Sequence, residues 1–445
     1  MCGRNVDDRR RRADSCRLRV NRVQARRDTE DYASEVIARC KTLARFSEDA
    51  ASIRRTFLSP PMRECHREIA GWAAVLDVTS RVDGAGNLRM LYPAAKPDAP
   101  RLRRLLMGSH LDTVPNAGAY DGILGVVLPL SVLGALQGRK LPFAIEVVGF
   151  SEEEGVRFGI PFIGSRALVG GLDEDLLGRQ DAQGISVRKA IENFGLNPAE
   201  IAQAVIGSDI FGYLEFHIEQ GPVLESAGRP LGVVEAIAGQ SRLEFTFLGQ
   251  ANHAGTTPMN FRRDAIAGAA EWISAVERRA QTASQDTLGL VATVGAIQAT
   301  PGAVNVIAGE ARLSLDVRHQ NDNARNTAVD YFVREAEDIA KRRGLDVRWN
   351  VVMNQSAVPL DPLLVTQVER AVGRAGCEPY RMVSGAGHDA MIMAKRVPSA
   401  MIFLRTPGGI SHHPAESVEV GDVAKAIDCG LHLLDQLALS SEFQS

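Results

Sequence analysis

The stretch LLMGSHLDTVPNAGAYDGILGVVLPLSVLGAL, residues 105–136, sets the fold. Leu105–Met107 reads as a short buried strand running into a loop at His110, and Gly122–Leu136 reads as an apolar helix. The same succession recurs downstream. Phe143–Phe150 is a strand ending at Glu152-Glu153-Glu154, and Tyr213–Ile218 is another that carries His217. Strands alternating with helices predict the α/β class, here a helix-covered mixed sheet. The polar residues fall at strand ends and in the loops that follow, where open α/β sheets place their sites.

Working outward, Val36, Ile37, Cys40, Leu43 and Ala44 recur at helical spacing, and Ser59-Pro60 starts a second helix. Residues 235–350 look like a separate unit inserted into the first. Leu243–Leu248, Leu290–Ile297 and Ala311–Val317 read as strands, and Asp264–Arg279 and Ala324–Arg343 as helices, giving a two-layer α+β unit. After Val351 the chain returns to the first unit through the Asp361-Pro362 helix start and the strand Ala400–Leu404. The expected division is therefore 29–234, 235–350 and 351–445, preceded by an Arg-dense stretch, 1–28, read as a disordered tail.

Bulk composition narrows the function. The chain has 445 residues, 24% of them charged, and a net charge of −3, which gives no reason to expect nucleic acid as a partner. No apolar run of membrane-spanning length is present. The six cysteines are dispersed without a C-x-x-C pair, so they read as reduced thiols of a cytoplasmic protein and not as a thiolate metal site.

Five clusters carry chemistry: GSHLDTV (108–114), AYDG (119–122), SEEEG (151–155), FHIEQG (216–221) and GGISHHPAE (408–416). Each has an ordinary alternative. His110 and His217 could be satisfied core histidines, Asp121 could cap the helix that follows it, and the three glutamates could be a solvated loop. Taken together they supply imidazoles and carboxylates for a pair of divalent cations, Zn²⁺, Mn²⁺ or Co²⁺, with the two oxygens of Asp121 suited to bridging. Asp112, two residues beyond His110, could accept that ring's other N–H. Adjacent glutamates diverge, so one can bind metal while its neighbour acts as general base. Spacing alone does not choose between His412 and His413.

From about residue 30 to its end the chain resembles the di-metal amidohydrolases of the aminoacylase/carboxypeptidase superfamily, in the branch of allantoate amidohydrolase, N-carbamoyl-L-amino-acid hydrolase and β-ureidopropionase. GSHLDTV, YDG, EEEG, HIEQGPVLE, NHAGTTPM, SGAGHDA and GISHHPAE stand in family order. The resemblance implies two divalent ions per subunit. Asp121 would bridge them, with His110 and His217 completing one and Glu154 and His412 the other. Glu153 would be the base and Asp112 would orient His110. His217 sets the branch apart from peptidases, which carry an acid there. The inserted unit would be a lid and a homodimerisation domain. His253 would stabilise developing oxyanion charge, often from the partner subunit. Asn305 and Arg318 would grip a substrate carboxylate, Arg318 through its planar fork of donors. Gln220, Gly385, Gly387 and His388 would meet the rest of a small ureido-carboxylate, allantoate first and an N-carbamoyl-L-amino acid second. His66, His319 and His432 carry no functional signal.

Overall fold

The computed structural model describes residues 28–99, 102–283 and 289–440. The Arg-dense stretch expected as a tail lies outside the described residues apart from Asp28. The Asp28 carboxylate accepts the backbone N–H of Glu30 and caps the helix Thr29–Leu43.

Strands are numbered along the chain. The first six are β1 (Thr79–Val82), β2 (Leu88–Tyr92), β3 (Arg104–His110), β4 (Ala144–Phe150), β5 (Ile210–Ile218) and β6 (Leu231–Ile237). Next come β7 (Gly239–Leu248), β8 (Asn252–His253), β9 (Val291–Thr293), β10 (Ile297–Thr300), β11 (Val306–Ile307), β12 (Glu310–His319) and β13 (Asp346–Gln355). The last three are β14 (Val358–Pro359), β15 (Arg381–Ser384) and β16 (Ser399–Leu404).

Among the described residues nine strands form the main sheet, in the order β1-β2-β4-β3-β5-β16-β6-β14, with β15 also paired to β6. Its centre, β4-β3-β5-β16, is parallel throughout. Every residue of β4, β5 and β16 is buried, which explains their near-continuous apolar sequences. Because these four strands run the same way, their carboxyl ends share one edge. His110, Glu152–Glu154, His217 and the loop to His412 all leave from it. The helix Ile123–Ala135 crosses from β3, is buried almost all round, and packs against helices Thr29–Leu43 and Val420–Leu439.

A second, wholly antiparallel sheet has the order β10-β12-β7-β13, with β9 also on β12. Helices Ala265–Ala283 and Asp322–Arg342 cover one face of it. Its core is separate from that of the main sheet and centres on Trp272, packed against Phe245 at 4.3 Å between ring centroids, with the indole N–H donated to Phe332 O. The single strand expected over Leu290–Ile297 is two, β9 and β10. Both pair with β12, and between them Ser314 Oγ accepts the N–H of Ala296. The break expected after residue 350 falls inside β13. That strand continues the small sheet to Gln355 because its pairing with β7 survives a bulge between Val351 and Met353.

Candidate metal centre and cleft

The four parallel strands deliver a cluster of imidazoles and carboxylates to one point. His110 ends β3 and is buried, and its Nδ1 lies 3.0 Å from the backbone oxygen of Asp112. His217 Nδ1 lies 2.8 Å from Ile218 O. Each ring is thereby fixed by its Nδ1, and its Nε2 turns to Asp121, at 3.7 Å for His110 and 3.2 Å for His217, both measured to Oδ1. His412 Nε2 approaches the other oxygen, Oδ2, at 3.0 Å, with Glu154 Oε1 3.7 Å away. His413 is exposed and accepts its own loop's Ala415 N–H, so the structure separates the two adjacent histidines.

Two groups of donor atoms result, each lying within 4.8 Å of one another: His110–Asp121–His217 and Asp121–Glu154–His412. Asp121 belongs to both. Its Oδ1 is buried yet makes no well-formed hydrogen bond among the described residues, although two imidazole nitrogens face it. Lone pairs that converge without bonding one another suit a cation, and the all-N/O donor set suits Zn²⁺, Mn²⁺ or Co²⁺. The residues therefore fit a pair of divalent ions. A further group, Glu215–His217–His388, fits less well. Glu215 already accepts from Ser109 Oγ and Ala390 N, and His388 Nε2 shares a hydrogen with Ser384 Oγ.

Electrostatics follow from burial. Burial works against ionisation of Asp121, but the close approach of the His110, His217 and His412 imidazoles outweighs it and holds the carboxyl well below its usual range. Glu153 is pushed well above that range, first by burial; His110 opposes the shift, while Glu154, Asp389 and Asp112 add to it. Burial and the Asp121 charge push Glu154 up to about 7.

Asp112 does more than the sequence suggested. Its carboxylate accepts the backbone N–H of Glu153 at 2.9 Å and of Glu154 at 3.1 Å, while its main-chain oxygen serves His110. Its Oδ1 is also 3.4 Å from His110 Nδ1. Gln220 lies among the ligand candidates. Its Nε2 donates to Asp121 Oδ2 at 3.1 Å and to Ser411 Oγ at 3.2 Å. Gln220 and His412 both hold positive φ, 60° and 54°, a backbone state that non-glycine residues keep only where the surroundings demand it.

Two positioning residues escaped the sequence reading. Glu416 Oε1 accepts the N–H groups of Tyr120 and Asp121, and its Oε2 accepts from Ser411 Oγ, so it ties the Asp121 loop to the His412 loop. A glutamate four residues after a histidine offered no signal for a partner almost 300 positions upstream. Glu215 lies in the all-buried β5 two residues before His217, on the same face. A charged residue inside an apolar strand was the available signal.

The cleft above the cluster is about 540 Å³. It is lined by His110, Asp121, Glu153, Glu154, His217, Gln220, Gly387 and His412 from the main sheet's side, and by Arg318 from the small sheet. Arg318 spends its fork on Asp316 through Nε (2.7 Å) and Nη2 (3.2 Å), and donates Nη1 to Gly385 O at 2.6 Å. A substrate would meet only the outer Nη hydrogens. His388 is buried behind His217, with ring centroids 4.5 Å apart, and does not line the cleft. His253 and Asn305 come together on the exposed ribbon of β8 and β11, where Ala254 N–H donates to Asn305 O, but neither lines the cleft of its own chain.

A parallel-centred α/β sheet with this cluster at its carboxyl edge, faced by an antiparallel unit, defines a hydrolase of the amidohydrolase class. The sequence model of Peptidase family M20/M25/M40 matches residues 106–436, and the chain belongs to that family. It is 36% identical to a probable allantoate deiminase of Oryza sativa subsp. japonica, over 93% of this chain and 90% of the relative. It is 39% identical to an N-carbamoyl-L-amino acid amidohydrolase of Geobacillus stearothermophilus, over 80% of this chain and 86% of that one. A solved amidase of the hydantoinase/carbamoylase family from Burkholderia multivorans superposes with a TM-score of 0.84 at 31% identity, covering 90% of this chain and 97% of its own. No helix among the described residues is long and apolar enough to cross a membrane.

Proposed function

We propose that this chain is a two-metal amidohydrolase that cleaves the ureido C–N bond of a small carboxylate, with allantoate as substrate. The observation that carries the reading is the position of Asp121, whose two oxygens face separate groups of donors at one end of a cleft that Arg318 closes. His110, Asp121 and His217 would hold one divalent ion, and Asp121, Glu154 and His412 the other; Mn²⁺, Zn²⁺ and Co²⁺ all suit these donors. When bound, the pair supplies Lewis acidity at the scissile carbonyl and lowers the pKa of a water molecule.

The remaining work falls to side chains. Glu153, buried beside His110, takes the proton of the attacking water and returns it to the leaving nitrogen. The water oxygen joins the ureido carbon, the C–N bond breaks, and the carbamate released falls apart to ammonia and carbon dioxide; with allantoate the other product is ureidoglycine. Arg318 meets the substrate carboxylate with its outer Nη hydrogens, and Gln220, Ala386 and Gly387 line the near wall; Gly385 does not line the cleft, its carbonyl instead accepting from Arg318 Nη1. His388 orients His217 from behind by ring contact. The units are 29–234 with the chain after Gln355, bearing the centre, and an intervening lid. Its exposed ribbon would bring His253 and Asn305 to a partner subunit's cleft in a homodimer. The similarity to the Geobacillus N-carbamoyl-L-amino acid amidohydrolase supports a second reading, in which the substrate is an N-carbamoyl-L-amino acid.

The deciding experiment is ammonia release by chelated and remetallated protein, with allantoate, N-carbamoyl-L-amino acids, N-carbamoyl-β-alanine and dipeptides in parallel. Metal-dependent turnover of allantoate above the others is expected. Faster dipeptide turnover would refute the reading, and light scattering at monomer mass would refute the dimer.

A further inference from the structure

The register of the small sheet sets two rows of side chains on the face turned away from its helices. Arg318, Gln240 and Gln355 stand opposite one another on β12, β7 and β13, and Asp316, Arg242 and Met353 form the next row. All but Asp316 line the cleft across from His110, Asp121 and Glu153.

Two of them have unused capacity. Gln240 is 7% exposed, yet its side-chain amide has no hydrogen-bond partner among the described residues. Its amide atoms are not sealed away from the cleft it lines, so their donor and acceptor capacity is open to a ligand there. Arg242 donates Nε to Asp316 Oδ2 at 2.9 Å, and its terminal nitrogens are uncommitted among the described residues. Asp316 is thus shared by two guanidiniums, which leaves this wall with one net positive charge. A substrate with one carboxylate balances it, whereas a second anionic group would find no uncompensated cation left on this wall. The second arm should therefore be neutral and rich in both donors and acceptors. An amide oxygen beside guanidinium N–H groups offers an acceptor and donors together, the complement of a ureido –CO–NH₂.

We infer that Gln240 and Arg242 select the substrate by receiving its second ureido arm, so that the cleft prefers a bis-ureido monocarboxylate to a mono-ureido amino acid. The inference rests on the ureido-hydrolase reading above and adds the residues that choose within that class.

The test compares kcat/KM of the remetallated enzyme for allantoate, N-carbamoyl-L-alanine and N-carbamoyl-L-aspartate, in wild type, Arg242→Met, Arg242→Lys and Gln240→Met. The ratio of allantoate to N-carbamoyl-L-alanine should fall about 10- to 100-fold in Arg242→Met, the range for a lost charged hydrogen bond. It should recover in part in Arg242→Lys and fall in Gln240→Met. A ratio that stays constant in both Met variants overturns the inference, as does a wild-type preference for N-carbamoyl-L-aspartate. Wild type releasing ammonia from no ureido compound removes the hydrolase reading itself, before any variant is made.

Discussion

Asp112 accepts the backbone N–H of Glu153 at 2.9 Å, and through the next N–H it also holds Glu154. One buried carboxylate thus aims both the candidate base and a candidate ligand, while its own main chain fixes His110. Asp112→Asn keeps the volume but presents an N–H₂ to one of these donors. Metal affinity and kcat should each fall about 10- to 100-fold, as they do for outer partners of metal sites. Metal titration and steady-state kinetics on the variant check this; wild-type values in both would show that the contact is dispensable.

Glu153→Gln removes the proton acceptor without changing the size of the side chain. Bound metal should stay near wild type while kcat drops by about 10²–10⁴. Elemental analysis and ammonia release on the same preparation separate the two effects. Near-normal turnover would reject Glu153 as the base.

Gly122 has a φ of +68°, and a β-carbon there would come within about 2.4 Å of the His110 ring. Gly122→Ala should therefore push His110 off its line to Asp121 and weaken metal binding while leaving the secondary structure intact. Metal content measured after dialysis, beside circular dichroism, reads this directly. Undiminished metal content would mean that the ring and loop can yield together.

His66 offers a pH test away from the cleft. It is buried, neither ring nitrogen has a partner among the described residues, and burial, with Arg55 and Arg63 adding to it, lowers its pKa to about 3. The unfolded chain takes up a proton near pH 6.5 that the folded chain refuses, so stability must fall as the pH drops from about 6.5 towards 3. The limiting slope is about 1.4 kcal/mol per pH unit from this one group. His66→Phe should flatten that part of the acid limb, by roughly 1.5 kcal/mol between pH 6.5 and 5 relative to wild type. Parallel urea curves at the two pH values test it, and identical pH dependence in both proteins would show that His66 does not titrate as argued.

Much of the centre was legible because its residue types were out of place where they stood. His217 sits in a strand that is apolar but for Tyr213 and Glu215, and three glutamates follow a buried strand, so each conflicts with its local environment unless function explains it. The strand-and-helix alternation was equally plain, since period and apolar content are local properties. Boundaries were less so. Nothing in residues 346–355 marks a buried strand, because β13 is an edge strand with most of its side chains in solvent. Arg318 was legible as a residue type but not in its commitments, since the Asp316 carboxylate that takes its fork is an unremarkable neighbour two positions away.

What the sequence alone determined is which donors exist and in what order they follow the apolar strands, for both are written in side-chain chemistry and short-range pattern. The tertiary structure decided how they meet. Parallel packing of β3, β4, β5 and β16 gave Asp121 two different sets of neighbours. Glu416 bound loops far apart in the chain. The register of β7 between β12 and β13 set Gln240 and Arg242 beside Arg318 on one face. Side-chain direction and long-range pairing come from strand register and close packing, and neither is encoded by a residue and its immediate neighbours.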